Sequence, residues 1–480
     1  MVLGVTSTVA VPEADAVTAL VAPGTGTPDA NVIAGYLENA RDYYMTTTPC
    51  TVENDCDVVG INYPASFWPL FFRPRWCVPG RCEKWDVSVA DGLNNFNSAL
   101  TNLLATQPDE EIVLFGYSQG GAIVSDQLRL IQDLDPALKE RLSVVLIGNI
   151  DNPVGGPWSL LGFLGTIPIV DVTTGMPTIV DTGIPTTSVH FEYDGVGDFP
   201  IYWGNLPAFV NAVAGFWYVH GQMLWPNGYN ETGLPSGYTP AELADQMDPA
   251  LHPENFRYDS YGNPFITIPT RTLPIMIPFL NFGRDFGLSW LIEPLVDLVS
   301  PALRVIIDTA YDRTLNPGIP QYLSLLPFNP KLNLFDVAGD FFQAIGEGVE
   351  AFLGHFEAAA PPASGISGVP TERPAVRRPS AAVRETPVID LAADPASAVE
   401  NPTIDTPSTA AEDQAPKRPR ATRTASAAAA ADGTAERGTR GARPTAGRAA
   451  RPAAGTADDG NSDRSSRTAA ARRAVAGANA

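Results

Sequence analysis

The chain has 480 residues, with 31 Lys and Arg against 53 Asp and Glu and a formal net charge of −22 at pH 7. Residues 361–480 hold 17 basic against 13 acidic side chains, which leaves −26 on residues 1–360. A surface of that sign repels phosphate backbones and argues against nucleic acid as a partner of the globular region.

Val9-Ala10-Val11-Pro12-Glu13-Ala14 has the small-residue character of a region around a leader cleavage site, although no basic n-region precedes it. Residues 1–16 are therefore read as the remnant of a leader, with the folded domain starting at Val17. No apolar run reaches the roughly 18 residues of a membrane-spanning helix. Short apolar runs at 17–22, 58–63, 112–117, 143–148 and 188–193 predict strands, the last of these being taken as the final strand of the sheet. Between them, Val89, Leu93, Phe96, Leu100 and Leu103 recur at helical spacing, and 121–134 reads as a second helix. Strand and helix in alternation predict an α/β fold with a mostly parallel sheet covered on both faces. Cys50, Cys56, Cys77 and Cys82 are the only cysteines. Such a cluster points to two disulfides, with local pairing expected, in an oxidising compartment. Their C-x5-C and C-x4-C spacings do not match the C-x2-C hooks of structural zinc, and no metal or cofactor is expected.

Gly116-Tyr117-Ser118-Gln119-Gly120 follows an apolar strand and opens a helix, the context in which G-x-S-x-G presents a nucleophile. Ser118 is the expected nucleophile. A serine needs a histidine base, itself oriented by a carboxylate, in the chain order Ser, acid, His. Of His190, His220, His252 and His355, the first lies within a predicted strand ahead of the acid candidates and the last lies beside the tail. His220 is preferred over His252 because it ends the apolar helix predicted at 206–219 and closely follows the acid. Asp194 and Asp198 compete for the acid in the turn after the last predicted strand. Asp198 is preferred because it stands further into the loop, whereas Asp194, followed by Gly195, is the ordinary kind of turn-stabilising Asp. The oxyanion requires two backbone donors, expected from Gln119 and from Thr25 or Gly26 in the glycine-rich loop after the first strand. That loop lacks the G-x-G-x-x-G and Walker patterns of phosphate binding.

Beyond His220 the sequence turns to Pro-broken apolar segments at 266–280, 288–310 and 335–352. These are read as an apolar lid or outer helical layer over about 230–355, completing a domain at 17–355. The pattern is equally that of a wall with an acyl chain lying beneath and of ordinary core packing, which apolar periodicity does not distinguish. Residues 361–480 contain no Trp, Tyr, Phe, Cys or His and are read as a disordered Ala/Pro/Arg-rich tail acting as a solvated spacer.

Together, the Gly24-Thr25-Gly26-Thr27-Pro28 loop, Tyr63-Pro64-Ala65-Ser66, the serine elbow, Tyr193-Asp194-Gly195-Val196-Gly197-Asp198-Phe199-Pro200 and Val219-His220-Gly221 resemble the PE-PPE domain of mycobacteria and related actinobacteria. Leu273-Pro274 and Tyr311-Asp312-Arg313 extend the resemblance to about 17–330, without the PE or PPE helical domain that often precedes the module. The resemblance implies a cutinase-like α/β-hydrolase fold, hydrolysis or acyl transfer on lipid-like esters, and secretion or peripheral association with the cell envelope. It also implies Ser118, Asp198 and His220 as the triad. The competing reading is a non-catalytic envelope-binding protein on a hydrolase scaffold. Nothing in the sequence sets an oligomeric state.

Overall fold

Val, Ile and Leu dominate the short apolar runs, and buried parallel strands take shape where such runs alternate with helical segments. The computed structural model describes residues 16–229 and 231–357. Except for Ala16, the leader expected at 1–16 lies outside these residues, as does the tail expected at 361–480.

The strands of the main sheet are β1 (Val17–Ala22), β2 (Asp57–Gly60), β3 (Glu111–Tyr117), β4 (Leu142–Ile147), β7 (Thr186–Phe191), β8 (Phe256–Tyr258) and β9 (Pro264–Ile268). They lie in the order β2-β1-β3-β4-β7-β9-β8. Every pairing is parallel except that of β8 with β9. The remaining strands, β5 (Thr166–Ile167) and β6 (Val172–Thr173), form a separate antiparallel pair. In chain order the helices are α1 (Tyr36–Tyr44), α2 (Trp85–Thr106), α3 (Gln119–Ile131), the single turns α4 (Pro136–Lys139) and α5 (Pro157–Leu160), α6 (Leu206–Tyr218), α7 (Pro240–Gln246), α8 (Ile277–Asp285), α9 (Ser289–Asp308) and α10 (Leu334–Glu357).

Side chains alternate across a strand, so a sheet buried on both faces needs apolar residues at successive positions. Val113 and Phe115 of β3 pack with Tyr36, Ala40 and Tyr44 of α1 and Leu243 of α7 on one face. Ile112 and Leu114 pack with Phe96 and Leu100 of α2 and Ile123 and Leu128 of α3 on the other. These two cores fix the end of β3 relative to the start of α3, where the serine elbow lies.

The sheet continues past the strand expected to be its last. β9 joins β7 in parallel, with Ser188 opposite Phe265 and Phe191 opposite Ile268. Phe265, Ile266 and Ile268 are buried, so part of the segment expected to form a lid is core strand instead. Pro264 sits at its first position, where a missing N–H interrupts no central ladder. The later apolar segments form α8, α9 and α10, an outer layer in which α9 packs against both neighbours. No helix among the described residues is long and apolar enough to cross a membrane. The cysteines pair locally, Cys50 with Cys56 and Cys77 with Cys82.

Candidate active site

Between β3 and α3 the chain reverses at one residue. Ser118 adopts φ 58° and ψ −116°, a left-handed backbone that an L residue occupies only when its surroundings enforce it. The flanking glycines are required by contact. A Cβ on Gly120 would lie 1.9 Å from the Ala22 carbonyl oxygen, and one on Gly116 would lie 2.6 Å from that of Gly120. The tight turn lifts the Ser118 hydroxyl out of the sheet edge.

His220 follows α6, whose first turn is capped by the Asn205 side chain accepting the Ala208 N–H at 3.0 Å. Its Nε2 lies 2.9 Å from Ser118 Oγ. Its ring stacks on Phe216, with centroids 6.0 Å apart and planes 16° apart, and its carbonyl accepts the Tyr117 hydroxyl. On the other side of the ring, Nδ1 lies 3.0 Å from Asp194 Oδ1. Asp194 is fully buried and also accepts the N–H groups of Val196 at 3.1 Å and Gly197 at 2.9 Å. Gly148, at φ +48°, packs against this pair, and a Cβ there would come within 2.9 Å of the imidazole.

The preference for Asp198 as the acid is corrected by this geometry. Asp198 accepts both Arg313 nitrogens, one at 2.6 Å, and the Tyr193 N–H at 2.9 Å. Burial alone would raise its carboxyl, but Arg313 outweighs that and holds it below the ordinary range. The turn closes with the Asp198 N–H donating to the Asp194 carbonyl at 3.0 Å, and the two side chains serve different partners. His190, expected to be structural, is buried, bonds Thr267 Oγ1 at 2.9 Å and lies 3.9 Å from Asp198. Burial depresses it to about 4. His252 contacts Gln246 and Glu254, and His355 contacts Asp297, so neither joins Ser118.

Of the residues expected to supply oxyanion donors, Gln119 and Thr25 lie beside Ser118. Gln119 is the first residue of α3, and its N–H has no acceptor within the helix. Thr25 lines the same cavity as Ser118. Gly26 is excluded because its N–H donates to the Ala65 carbonyl at 2.7 Å. The cavity holds about 280 Å³ and is walled by Tyr36, Arg73, Arg75, Trp76, Trp217 and Tyr229. Its lining comes from residues 24–36, 73–76, 117–118 and 216–229, none of it from the outer layer, one reading of which places an acyl chain beneath it. What covers the serine is the loop ahead of Cys77 and the end of α6. Sequence reasoning passed over these wall residues, although Phe71-Phe72-Arg73-Pro74-Arg75-Trp76 is a conspicuous aromatic and basic run beside a disulfide. Among the described residues, no group of three or more His, Cys, Asp or Glu is placed to hold a metal.

The PE-PPE domain profile matches residues 55–312, more than half of the chain. "Uncharacterized PPE family protein PPE42" of Mycobacterium tuberculosis (strain CDC 1551 / Oshkosh) is 31% identical over 297 residues, covering 61% of this chain and 44% of that protein. "Esterase PE16" of Mycobacterium tuberculosis (strain ATCC 25618 / H37Rv) is 30% identical over 319 residues, covering 65% and 51% respectively. The chain thus spans about half the length of the curated relatives it matches. A cutinase-like protein from Cryptococcus sp. is similar at a TM-score of 0.26 and 20% identity, covering 38% of this chain and 80% of that one. The catalytic core domain of acetyl xylan esterase from Trichoderma reesei is similar at 0.25 and 19%, covering 37% and 84%. Ser118, Asp194 and His220 all fall inside the matched span, and the chain belongs to the PE-PPE domain family.

Proposed function

We propose that the protein is a serine hydrolase or acyltransferase acting on carboxylic esters, with Ser118 as nucleophile, His220 as general base and Asp194 as the orienting acid. The observation that carries this reading is the continuous relay of 2.9 Å from Ser118 Oγ to His220 Nε2 and 3.0 Å from His220 Nδ1 to Asp194. Each contact has the length and the order the chemistry needs. A similarity to a protein named an esterase supports the same class.

In this mechanism the Ser118 oxygen attacks the ester carbonyl while its proton passes to His220 Nε2. Asp194 holds Nδ1–H and stabilises the imidazolium that forms. The Gln119 and Thr25 N–H groups receive the developing oxyanion. The tetrahedral intermediate expels the alcohol, which takes the proton from Nε2, and leaves an acyl-serine. Water or a second alcohol, deprotonated by His220, then attacks the acyl carbon and restores Ser118–OH. Hydrolysis and acyl transfer differ only in that acceptor.

The aromatic walls of the cavity support lipid-like esters as substrates. The two disulfides support an oxidising location, outside the cell or at its envelope. A binding protein without catalysis would have no need for an aligned base beside a strained serine, which disfavours that reading. Labelling with a fluorophosphonate is the test. Modification of Ser118 that disappears in Ser118→Ala and falls sharply in His220→Ala is expected. A folded protein left unlabelled would overturn the enzyme reading.

A further inference from the structure

Arg73 and Arg75 stand apart from the other cations of residues 1–357. Apart from Arg257, every other Arg and Lys side chain there donates to, or lies beside, a carboxylate, an amide oxygen or a backbone carbonyl. Arg73 and Arg75 have no such partner among the described residues, in a region where acids outnumber bases 40 to 14. Both line the cavity that contains Ser118 and His220.

They are held there by construction. The Arg73 guanidinium lies 3.9 Å from the centroid of Trp217, 5.2 Å from Phe216 and 5.3 Å from Trp76. Phe216 also stacks on His220, so one ring touches both the guanidinium and the imidazole. Arg75 lies 3.6 Å over Tyr229 and adopts φ 69°, a left-handed backbone found at built sites. The loop carrying them is tied by the Cys77–Cys82 disulfide, by the Phe67 N–H to the Trp76 carbonyl at 3.0 Å, and by Arg81 donating to the Arg75 and Pro64 carbonyls. Aromatic faces occupy one side of each guanidinium and leave its N–H edges free of any protein acceptor among the described residues. Arg73 Nε is out of contact with solvent and makes no hydrogen bond. Burial lowers Arg73 from its ordinary range, and the neighbouring Arg75 cation, with no carboxylate between them, adds to this.

We infer that Arg73 and Arg75 form an anion subsite beside the serine, selecting esters that carry a carboxylate or phosphate group. Guanidinium edges match both groups in bidentate geometry, and an anion between them would satisfy the donors and relieve the repulsion. The remainder of the surface, being acidic, repels anions at long range, so recognition depends on these two side chains. The substrate preference rests on the esterase reading, whereas anion binding does not.

The test therefore has two parts. In the first, full-length Ser118→Ala is titrated with hexyl phosphate, hexanoate and hexanol while the fluorescence of the cavity tryptophans is followed. Both anions should bind at least tenfold more tightly than hexanol, and Arg73→Gln/Arg75→Gln should bring the ratios near one. In the second, kcat/KM is compared between 4-nitrophenyl octanoate and the 4-nitrophenyl monoester of octanedioic acid, and between 4-nitrophenyl butyrate and 3-carboxy-4-nitrophenyl butyrate. These pairs place the charge on the acyl side or the leaving-group side. At least one anionic ester should be preferred, with the preference falling about tenfold in each single arginine variant. Equal binding of hexanol and both anions, or an anion preference that survives the double variant, overturns the subsite. Anion binding without turnover of any ester would overturn the esterase reading alone.

Discussion

Replacing Asp194 by Asn removes a negative charge 3.0 Å from His220 Nδ1 while keeping the side chain's size and its capacity to accept from Val196 and Gly197. At an effective dielectric of about 20, a unit charge pair at that separation interacts by about 5 kcal/mol. With about 1.4 kcal/mol per tenfold in rate, that predicts a loss in kcat of about 10³ to 10⁴, the scale seen when a triad acid is neutralised. Asp198→Asn should behave differently, because its charge is paired with Arg313 and not with the imidazole. Arg313 keeps some contact with solvent, so the expected cost is about 2–3 kcal/mol of stability, with kcat per folded molecule within a few fold of the parent. Hydrolysis of 4-nitrophenyl butyrate per mole of folded protein, with the folded fraction taken from near-UV circular dichroism, measures the first effect, and urea unfolding measures the second. An Asp194→Asn variant within tenfold of the parent, together with an Asp198→Asn variant that has lost 10³, would refute the assignment.

Three further outcomes follow from the same geometry. Because Ser118 sits at φ 58°, Ser118→Gly should be more stable than Ser118→Ala by about 1 kcal/mol while both are inactive; equal melting points would remove the argument for backbone strain. Burial depresses His190 to about 4 against ~6.5 in the unfolded chain, so the folded state binds fewer protons between those values. Its stability contribution is full above pH 6.5 and is lost as pH falls toward 4, by about 3 kcal/mol. Stability of His190→Gln should fall less over that range than the parent's in denaturant titrations, and an unchanged slope would refute the assignment. Finally, the double Ser variants of the two disulfides should each lose about 2 kcal/mol by the entropy of their short loops. Only Cys77→Ser/Cys82→Ser should also lower kcat/KM, since its loop carries Arg73, Arg75 and Trp76 over the serine. Equal kinetic effects in both variants would argue against that role.

Strand identity and the serine elbow were legible because they depend on local physics. Apolar residues on both faces of 112–117 demand a doubly buried strand, and glycines two positions either side of Ser118 are what a one-residue reversal requires. His220 was also reachable by chain order and the scarcity of histidines. The choice between Asp194 and Asp198 was not, since both occupy one short turn and residue type alone does not say where each side chain points. That was decided by Arg313, 115 residues beyond Asp198, and by α6 delivering His220 to Asp194. The same holds for β9, whose apolar run reads equally well as lid or core until β7 pairs with it. The cavity wall was out of reach for a similar reason. Arg73 and Trp217 are far apart in sequence, and only the packing of a disulfide-tied loop against the end of α6 brings the cation and the ring together above the serine. Local periodicity and backbone sterics can be read along a chain, whereas partners separated by a hundred residues are fixed by the tertiary contacts that close the loops between them.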